Sequence, residues 1–443
     1  PNMPWDGCEL WTADLTAGGD LNHIHHVAGS GTESIFQPRW DAEGALFFVS
    51  DRTGWWNLYR TADLEEIEAL CPMAAEFGLP QWVFGMSTYA LAGSDRIVCA
   101  WSSGGVMKLG VLDVATRQLT PVDLPFSEYD SVQWTGDAAL FLAAAATTPW
   151  AIVRLDLDTG EYTTLRRSTE TALDRADLAV PEPLSWPAPD GAITHGFFYA
   201  PKNHAYMAPP GELPPLIVVS HGGPTGATSS AYNVRLQFWT SRGFAVLDVN
   251  YGGSTGFGRA YRERLAGQWG VVDVDDCVSG AEYLVGQGRV DGQRLIIRGS
   301  SAGGYTTLAA LAFRDTFTAG ASLYGIGDLE ALATGTHKFE SRYLEGLVGP
   351  YPAARERYVA RSPIHHVDRL SCSLILLQGL EDKVVPPSQA EAMAAAVEAK
   401  GLPVELVQFA DEGHGFRRAE SIHRALEAEL AFYRRVFGLE EPE

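Results

Sequence analysis

RLIIRGSSAGGYTTLAALAF, residues 294–313, decides the fold. An apolar run, 295–297, leads into Gly299-Ser300-Ser301-Ala302-Gly303, and an Ala- and Leu-rich stretch of helical character follows. Strand, sharp turn and helix are the setting in which G-x-S-x-G presents a serine hydroxyl at the edge of a sheet. The glycines are a matter of space, because side chains two residues before and after the serine would collide with the neighbouring strand and helix. This selects Ser301: centred on Ser300, the flanking positions would be Arg298 and Ala302, and the turn would be crowded. A helix opening just after Ser301 also aims free N–H groups and its positive dipole end at the turn, where negative charge would develop.

Outward from this segment, short apolar runs recur at LIVVS (216–220), FAVLDV (244–249), RLIIRG (294–299), AGASLYG (319–325), SLILLQG (373–379) and VELVQF (404–409). Such runs are buried on both faces of a parallel sheet. Helical patterns at about 271–287, 302–314, 388–400 and 419–437 supply the crossovers between them. The prediction is a doubly wound, mostly parallel α/β sheet of the α/β-hydrolase kind.

A serine hydroxyl becomes a useful nucleophile only when a base takes its proton, and in this fold the carboxylate and histidine follow the serine in that order. Among the late histidines, His365 and His366 form a pair, His423 lies in the last helical pattern, and His414 stands between two glycines in ADEGHGF, directly after the strand VELVQF. His414 is therefore the predicted base. Asp382, in QGLEDKVVPP, follows the strand SLILLQG and reaches the same carboxyl edge. Glu381 competes with it, as does Asp411, which is too near His414 in sequence to reach the far ring nitrogen easily. Asp382 is expected to fix the imidazole tautomer and stabilise the imidazolium. Upstream, His221-Gly222-Gly223-Pro224 directly follows LIVVS. Glycines there let backbone N–H groups approach a tetrahedral oxyanion, joined by the N–H of Ala302.

The first part of the chain has a different rhythm. Strands ending in an apolar-Asp-apolar step recur at ELWTADL (9–15), NLYRTADL (57–64), KLGVLDV (108–114) and AIVRLDL (151–157), with Asp14, Asp63, Asp113 and Asp156 spaced 49, 50 and 43 residues apart. Between them lie strand starts ending in Trp40 (QPRW), Trp82 (PQW) and Trp134 (VQW). This period, with several short strands per unit, predicts β-propeller blades, about four of them over residues 1–181. A propeller must close to protect its edges, so further blades are expected before Pro1. The Pro-rich PEPLSWPAPDG (181–191) marks the boundary to a catalytic domain, 182–443.

Composition narrows the function. A formal net charge of −22, from 33 Lys+Arg against 55 Asp+Glu, repels phosphate backbones and anionic lipid, so neither nucleic acid nor membrane is expected as a partner. Five scattered cysteines form no CxxC pair and read as buried thiols of a reducing compartment. No apolar run is long enough to span a bilayer and no signal-peptide pattern opens the chain, which leads to a cytoplasmic protein. HIHH (23–26) lacks further ligands at useful spacing and reads as a solvated loop, so no metal is expected. NYGGSTGFG (250–258) lacks the lysine of a phosphate loop and reads as a shaped active-site loop, and no cofactor is expected. Homo-oligomer formation is left open.

With these residues in place, the second part resembles the prolyl oligopeptidase family of serine peptidases, in the group of acylaminoacyl peptidases and dipeptidyl aminopeptidases. The resemblance is carried by HGGP (221–224), NYGGSTGFG (250–258), QWGVVDVDD (268–276), GSSAGG (299–304), THKFESRYL (336–344), RSPIHHVD (361–368), GLEDKVVPP (379–387) and GHGF (413–416). In the first part it is limited to blade-like stretches such as SDRTGWWNLYR (50–60). It implies a Ser301, Asp382 and His414 triad, an oxyanion hole from the amides of Gly223 and Ala302, and a pocket lined by Phe339, Tyr343 and Val385. It also implies short peptide substrates, with acylaminoacyl peptidase-like or oligopeptide exopeptidase action. The alternatives are a dipeptidyl aminopeptidase, for which Glu65, Glu66 and Glu68 give no clear amine-binding motif, and a carboxylic-ester hydrolase. Gly252 stands where such loops commonly carry arginine.

Overall fold

The computed structural model describes residues 2–170 and 173–439. It divides into two compact units: Pro1–Ala172 with Ser229–Tyr232 and Thr255–Arg262, and Leu173–Thr228 with Asn233–Ser254 and Glu263–Glu443.

In the first unit, β1 (Glu9–Leu15) and β2 (Leu21–Gly29) form a hairpin, and three four-stranded antiparallel sheets follow. They are β3 (Ile35–Trp40), β4 (Leu46–Ser50), β5 (Asn57–Thr61) and β6 (Glu68–Ala69); β7 (Tyr89–Ala92), β8 (Arg96–Ser103), β9 (Val106–Asp113) and β10 (Leu119–Pro121); and β11 (Glu128–Trp134), β12 (Ala139–Ala145), β13 (Thr148–Leu155) and β14 (Tyr162–Arg167). Each is a meander in which sequence neighbours pair. The aspartate repeat has a local cause in the turn after the third strand. Asp63 Oδ1 accepts the N–H groups of Glu65 and Glu66 (3.0 and 2.9 Å), Asp113 Oδ1 that of Thr116 (2.7 Å), and Asp156 Oδ1 those of Asp158 and Thr159 (both 2.9 Å). Those backbone donors hold the three carboxyls below their ordinary pKa. Successive sheets share cores: Val98, Ala100 and Leu109 of one pack with Val132, Phe141 and Val153 of the next.

Two expectations for this unit need correction. HIHH is not a loop but part of β2, where the alternation of LNHIHHVAG sends successive side chains to opposite faces. His23 Nδ1 lies 2.8 Å from Asp14 Oδ2, and His25 and His26 meet backbone carbonyls at 3.2 Å. Trp82 does not end a strand. It lies in an irregular connection before β7, its ring 4.4 Å from that of Trp5, so an aromatic contact and not sheet pairing explains the tryptophan.

The second unit is built on one eight-stranded sheet: β15 (Glu182–Pro187), β16 (Ile193–Tyr199), β17 (Leu216–Ser220), β18 (Ala245–Asn250), β19 (Leu295–Ser300), β20 (Ala319–Leu323), β21 (Ser373–Gly379) and β22 (Val404–Phe409), in the order β15-β16-β18-β17-β19-β20-β21-β22. The pairs β15–β16 and β16–β18 are antiparallel and the rest parallel. The predicted helices are Val272–Gly286, Ala302–Phe313, Ser388–Ala399 and Ala419–Phe437. Leu216, Ile217 and Val218 of β17 and Ile296 and Ile297 of β19 are fully buried, as a covered parallel sheet requires. A buried ion pair, Arg298 Nε to Glu429 Oε2 at 2.7 Å, ties β19 to the last helix. The chain leaves β17 toward β18 on one side, and leaves β19 toward β20 on the other. The carboxyl ends of β17 and β19 therefore flank a topological switch point, where such sheets open a crevice.

Candidate active site

The HGGP loop follows β17 and the GSSAG turn follows β19, so the switch point brings them together. Ser301 has φ +56° and caps the helix Ala302–Phe313. Its N–H donates to Leu323 O at the end of β20 (2.9 Å). The glycines are needed as the motif demands: a Cβ on Gly299 would lie 2.1 Å from Gly303 O, and one on Gly303 would lie 2.0 Å from Ser220 O. A Cβ on Gly222 would come within 3.5 Å of Ser301 Cβ, which places the HGG backbone against the serine.

Ser301 Oγ lies 2.9 Å from His414 Nε2, and His414 Nδ1 lies 2.8 Å from Asp382 Oδ2. Asp382 is buried. Its other oxygen accepts the N–H groups of Val384 and Val385 (2.8 and 2.9 Å), leaving Oδ2 for the imidazole. An acceptor-only carboxylate on Nδ1 puts the proton there and leaves Nε2 able to take the serine proton. Asp411 instead pairs with Arg418 (3.0 Å), and His423 Nε2 lies 3.9 Å from Glu427 on the last helix. Ala302 is the first residue of a twelve-residue helix, so its N–H has no acceptor within the helix and is available at the turn. Gly223, with φ +124°, lies in the loop that Gly222 holds beside Ser301.

Two features escaped sequence reasoning. The ring of Tyr324 meets His414 edge-on at 5.0 Å and Phe416 at 5.3 Å, and its backbone has φ +41°. AGASLYG was legible as a strand end, but a tyrosine in a left-handed conformation has no sequence signature. Behind the HGG loop, His221 Nε2 lies 2.7 Å from Ser254 Oγ and Nδ1 lies 2.8 Å from Gly222 O, with the ring stacked on Tyr251 at 4.2 Å. Burial pushes the imidazole pKa down to about 4, so it is neutral near pH 7. The carbonyl can only accept, so Nδ1 carries the proton and Nε2 accepts from the Ser254 hydroxyl.

This assigns the glycine-rich loop a structural task. Gly252 N–H donates to Asp276 Oδ2 (2.6 Å), which also pairs with Arg264 (3.1 Å). A Cβ on Gly252 would lie 2.6 Å from Arg264 Nη1. An arginine at position 252 would have to displace the Arg264 guanidinium and Val272 Cγ1, which a Cβ there would meet at 2.6 and 2.7 Å. Of the expected pocket residues, Phe339 is 45% exposed, whereas Tyr343 and Val385 are buried. The Tyr343 hydroxyl bonds Thr225 N and Oγ1 (3.0 and 2.6 Å), and Val385 N–H serves Asp382. Among the described residues, no group of three or more His, Cys, Asp or Glu side chains could hold a metal ion, and no helix is long and apolar enough to cross a membrane.

Sheet order, elbow and switch-point crevice define the class: this unit is an α/β-hydrolase. The family model for prolyl oligopeptidase family peptidases matches residues 230–440. The chain is similar to a puromycin-hydrolyzing peptidase of Mycobacterium tuberculosis, with 43% identity and a TM-score of 0.96 over 99% of this chain and 68% of that one. It is also similar to dipeptidyl aminopeptidase BIII of Pseudoxanthomonas mexicana, 31% identical over 286 residues, which are 63% of this chain and 41% of the relative. Acylamino-acid-releasing enzyme 1 of Oryza sativa subsp. japonica is 29% identical over 217 residues, 47% of this chain and 28% of the relative. The chain belongs to the prolyl oligopeptidase family. It spans less than half the length of these two curated relatives.

Proposed function

We propose that this chain carries the catalytic domain of a serine peptidase that cleaves short peptides or aminoacyl amides through an acyl-enzyme on Ser301. His414 takes the serine proton and returns it to the leaving amine, Asp382 holds the imidazole tautomer, and the amides of Gly223 and Ala302 bind the oxyanion. The observation that carries this reading is the continuous chain from Ser301 Oγ through His414 to Asp382 at 2.9 and 2.8 Å. Phe339, Tyr343 and Val385 are assigned to the pocket for the residue before the scissile bond. The proposal includes a division at 181/182, with the antiparallel meanders before it as propeller blades, and a cytoplasmic setting that suits five free cysteines.

The test is a panel of puromycin, free-amine and N-acylated peptides, internally quenched peptides and a short ester, with the wild-type chain and Ser301→Ala. Peptide or amide cleavage that disappears in Ser301→Ala is expected. Turnover of the ester alone would replace the peptidase reading by a carboxylic-ester hydrolase, and cleavage unaffected by the substitution would remove Ser301 as nucleophile.

A further inference from the structure

Glu340 ends the single turn Lys338–Glu340, three residues before Tyr343. The Tyr343 hydroxyl is bonded to Thr225, two residues beyond Gly223, so this segment is pinned to the loop lying against Ser301. The Glu340 side chain is 24% exposed, and its one polar partner among the described residues is His337 Nε2, 3.4 Å from Oε1. That separation exceeds a good charge-assisted hydrogen bond, and a carboxylate offers about four acceptor positions. Most of its capacity to bind a cation is therefore open. Desolvation raises the Glu340 pKa, while the charges of His337 and then His414 lower it, so the candidate catalytic imidazole is within electrostatic reach.

A partly desolvated carboxylate without adequate partners is costly unless a positive group arrives. In an N-terminal aminoacyl amide the ammonium nitrogen is two bonds from the carbonyl carbon that the serine attacks. A carboxylate on a segment tied through Tyr343 and Thr225 to the loop that lies against Ser301 is where that ammonium can be met. We propose that Glu340 anchors the free α-ammonium group of the substrate, so that the preferred substrates are aminoacyl amides and peptides with an unblocked N-terminus. An acylated terminus would leave the carboxylate without its counter-ion. This inference rests on the peptidase reading above for its biological sense, but it is testable without turnover.

In the turnover arm, phenylalanine anilide and puromycin are compared with N-acetylphenylalanine anilide and methyl ester, using wild type and Glu340→Gln. Glu340→Gln should lower kcat/KM for the free-amine substrates about 10- to 100-fold, chiefly through KM, and leave the N-acetyl ester unchanged. Equal loss on both classes, or no loss, overturns the proposal. In the binding arm, calorimetry compares phenylalaninamide with N-acetylphenylalaninamide on Ser301→Ala and on Ser301→Ala with Glu340→Gln. Phenylalaninamide should bind more tightly and lose about tenfold or more with Glu340→Gln. Preference for the acetylated amide, or binding indifferent to Glu340→Gln, overturns it. Absence of all hydrolysis by the wild-type chain would refute the peptidase reading, and the binding arm would still decide the role of Glu340.

Discussion

Ser301 is held at φ +56°, a backbone state that costs a non-glycine residue about 1–3 kcal/mol and persists only where neighbours over-determine it. The neighbours are identifiable: Leu323 O accepts the Ser301 N–H, Ser301 O accepts the N–H of Tyr305 (3.0 Å), and Gly303 packs on the carbonyl of Ser220. Gly303→Ala would drive a Cβ into backbone oxygens that cannot rotate away, with Ser220 O at 2.0 Å and His221 O at 2.8 Å. It should cost about 3 kcal/mol of stability and abolish hydrolysis, read by denaturant unfolding and turnover. Normal stability in that variant would contradict the elbow geometry. Ser254 acts one step further from the chemistry. In Ser254→Ala the neutral His221 loses its donor at Nε2, and the HGG loop loses a constraint while the substrate contacts remain. The expected result is a fall in kcat of about tenfold with KM nearly unchanged, since loss of an oxyanion donor itself costs about 10²–10³. A rise in KM alone would assign Ser254 to binding.

At the scale of elements, the segment Ser229–Tyr232 belongs to the first unit through Glu128, at the start of β11. Glu128 Oε1 accepts both the N–H and the hydroxyl of Ser230, each at 2.9 Å, and burial pushes its carboxyl up to about 7. The folded pKa exceeds the unfolded value, so the folded state binds the proton more tightly. This contribution is fully present at acid pH and is lost as pH rises from about 4.5 through about 7. Glu128→Gln keeps an acceptor for Ser230 but removes the titration. Its unfolding free energy should decline less than that of wild type between pH 5 and 8, measured by urea denaturation at each pH. An unchanged decline would locate the pH dependence elsewhere.

The same scale explains which elements were legible. The aspartate repeat was visible because each Asp63-, Asp113- and Asp156-type turn is specified within three residues. The apolar runs of β17, β19 and β21 were visible because a covered parallel strand has little choice of residue. The Pro-rich PEPLSWPAPDG marks a boundary in the sequence, yet its Glu182–Pro187 forms β15, at the edge of the sheet, where missing donors are tolerated. HIHH and Trp82 misled because histidine and tryptophan signal composition and not register.

For the molecule as a whole, Ser301, Asp382, His414 and the HGG loop were readable as candidates because each sits at a strand end with its own local signature. Tyr324, Arg264 and Glu340 were not, because their roles depend on chain segments that only the folded sheet brings together. Net charge was also readable, and with Glu340 it leads to a prediction that separates global from local electrostatics. A formal charge of −22 should accelerate capture of cationic substrates at low ionic strength and lose that effect as the screening length falls from about 30 Å at 0.01 M to about 8 Å at 0.15 M. Across that range, kcat/KM for a free-amine peptide should fall about two- to tenfold, whereas an N-acetylated, uncharged analogue should be nearly constant. Glu340→Gln removes only one of 55 acidic residues, so it should lower the absolute rate while preserving the slope against salt. Stopped-flow measurements on both proteins decide between the two fields. A slope that vanishes with Glu340→Gln would mean that one carboxylate supplies the attraction and the remaining surface charge contributes none of it.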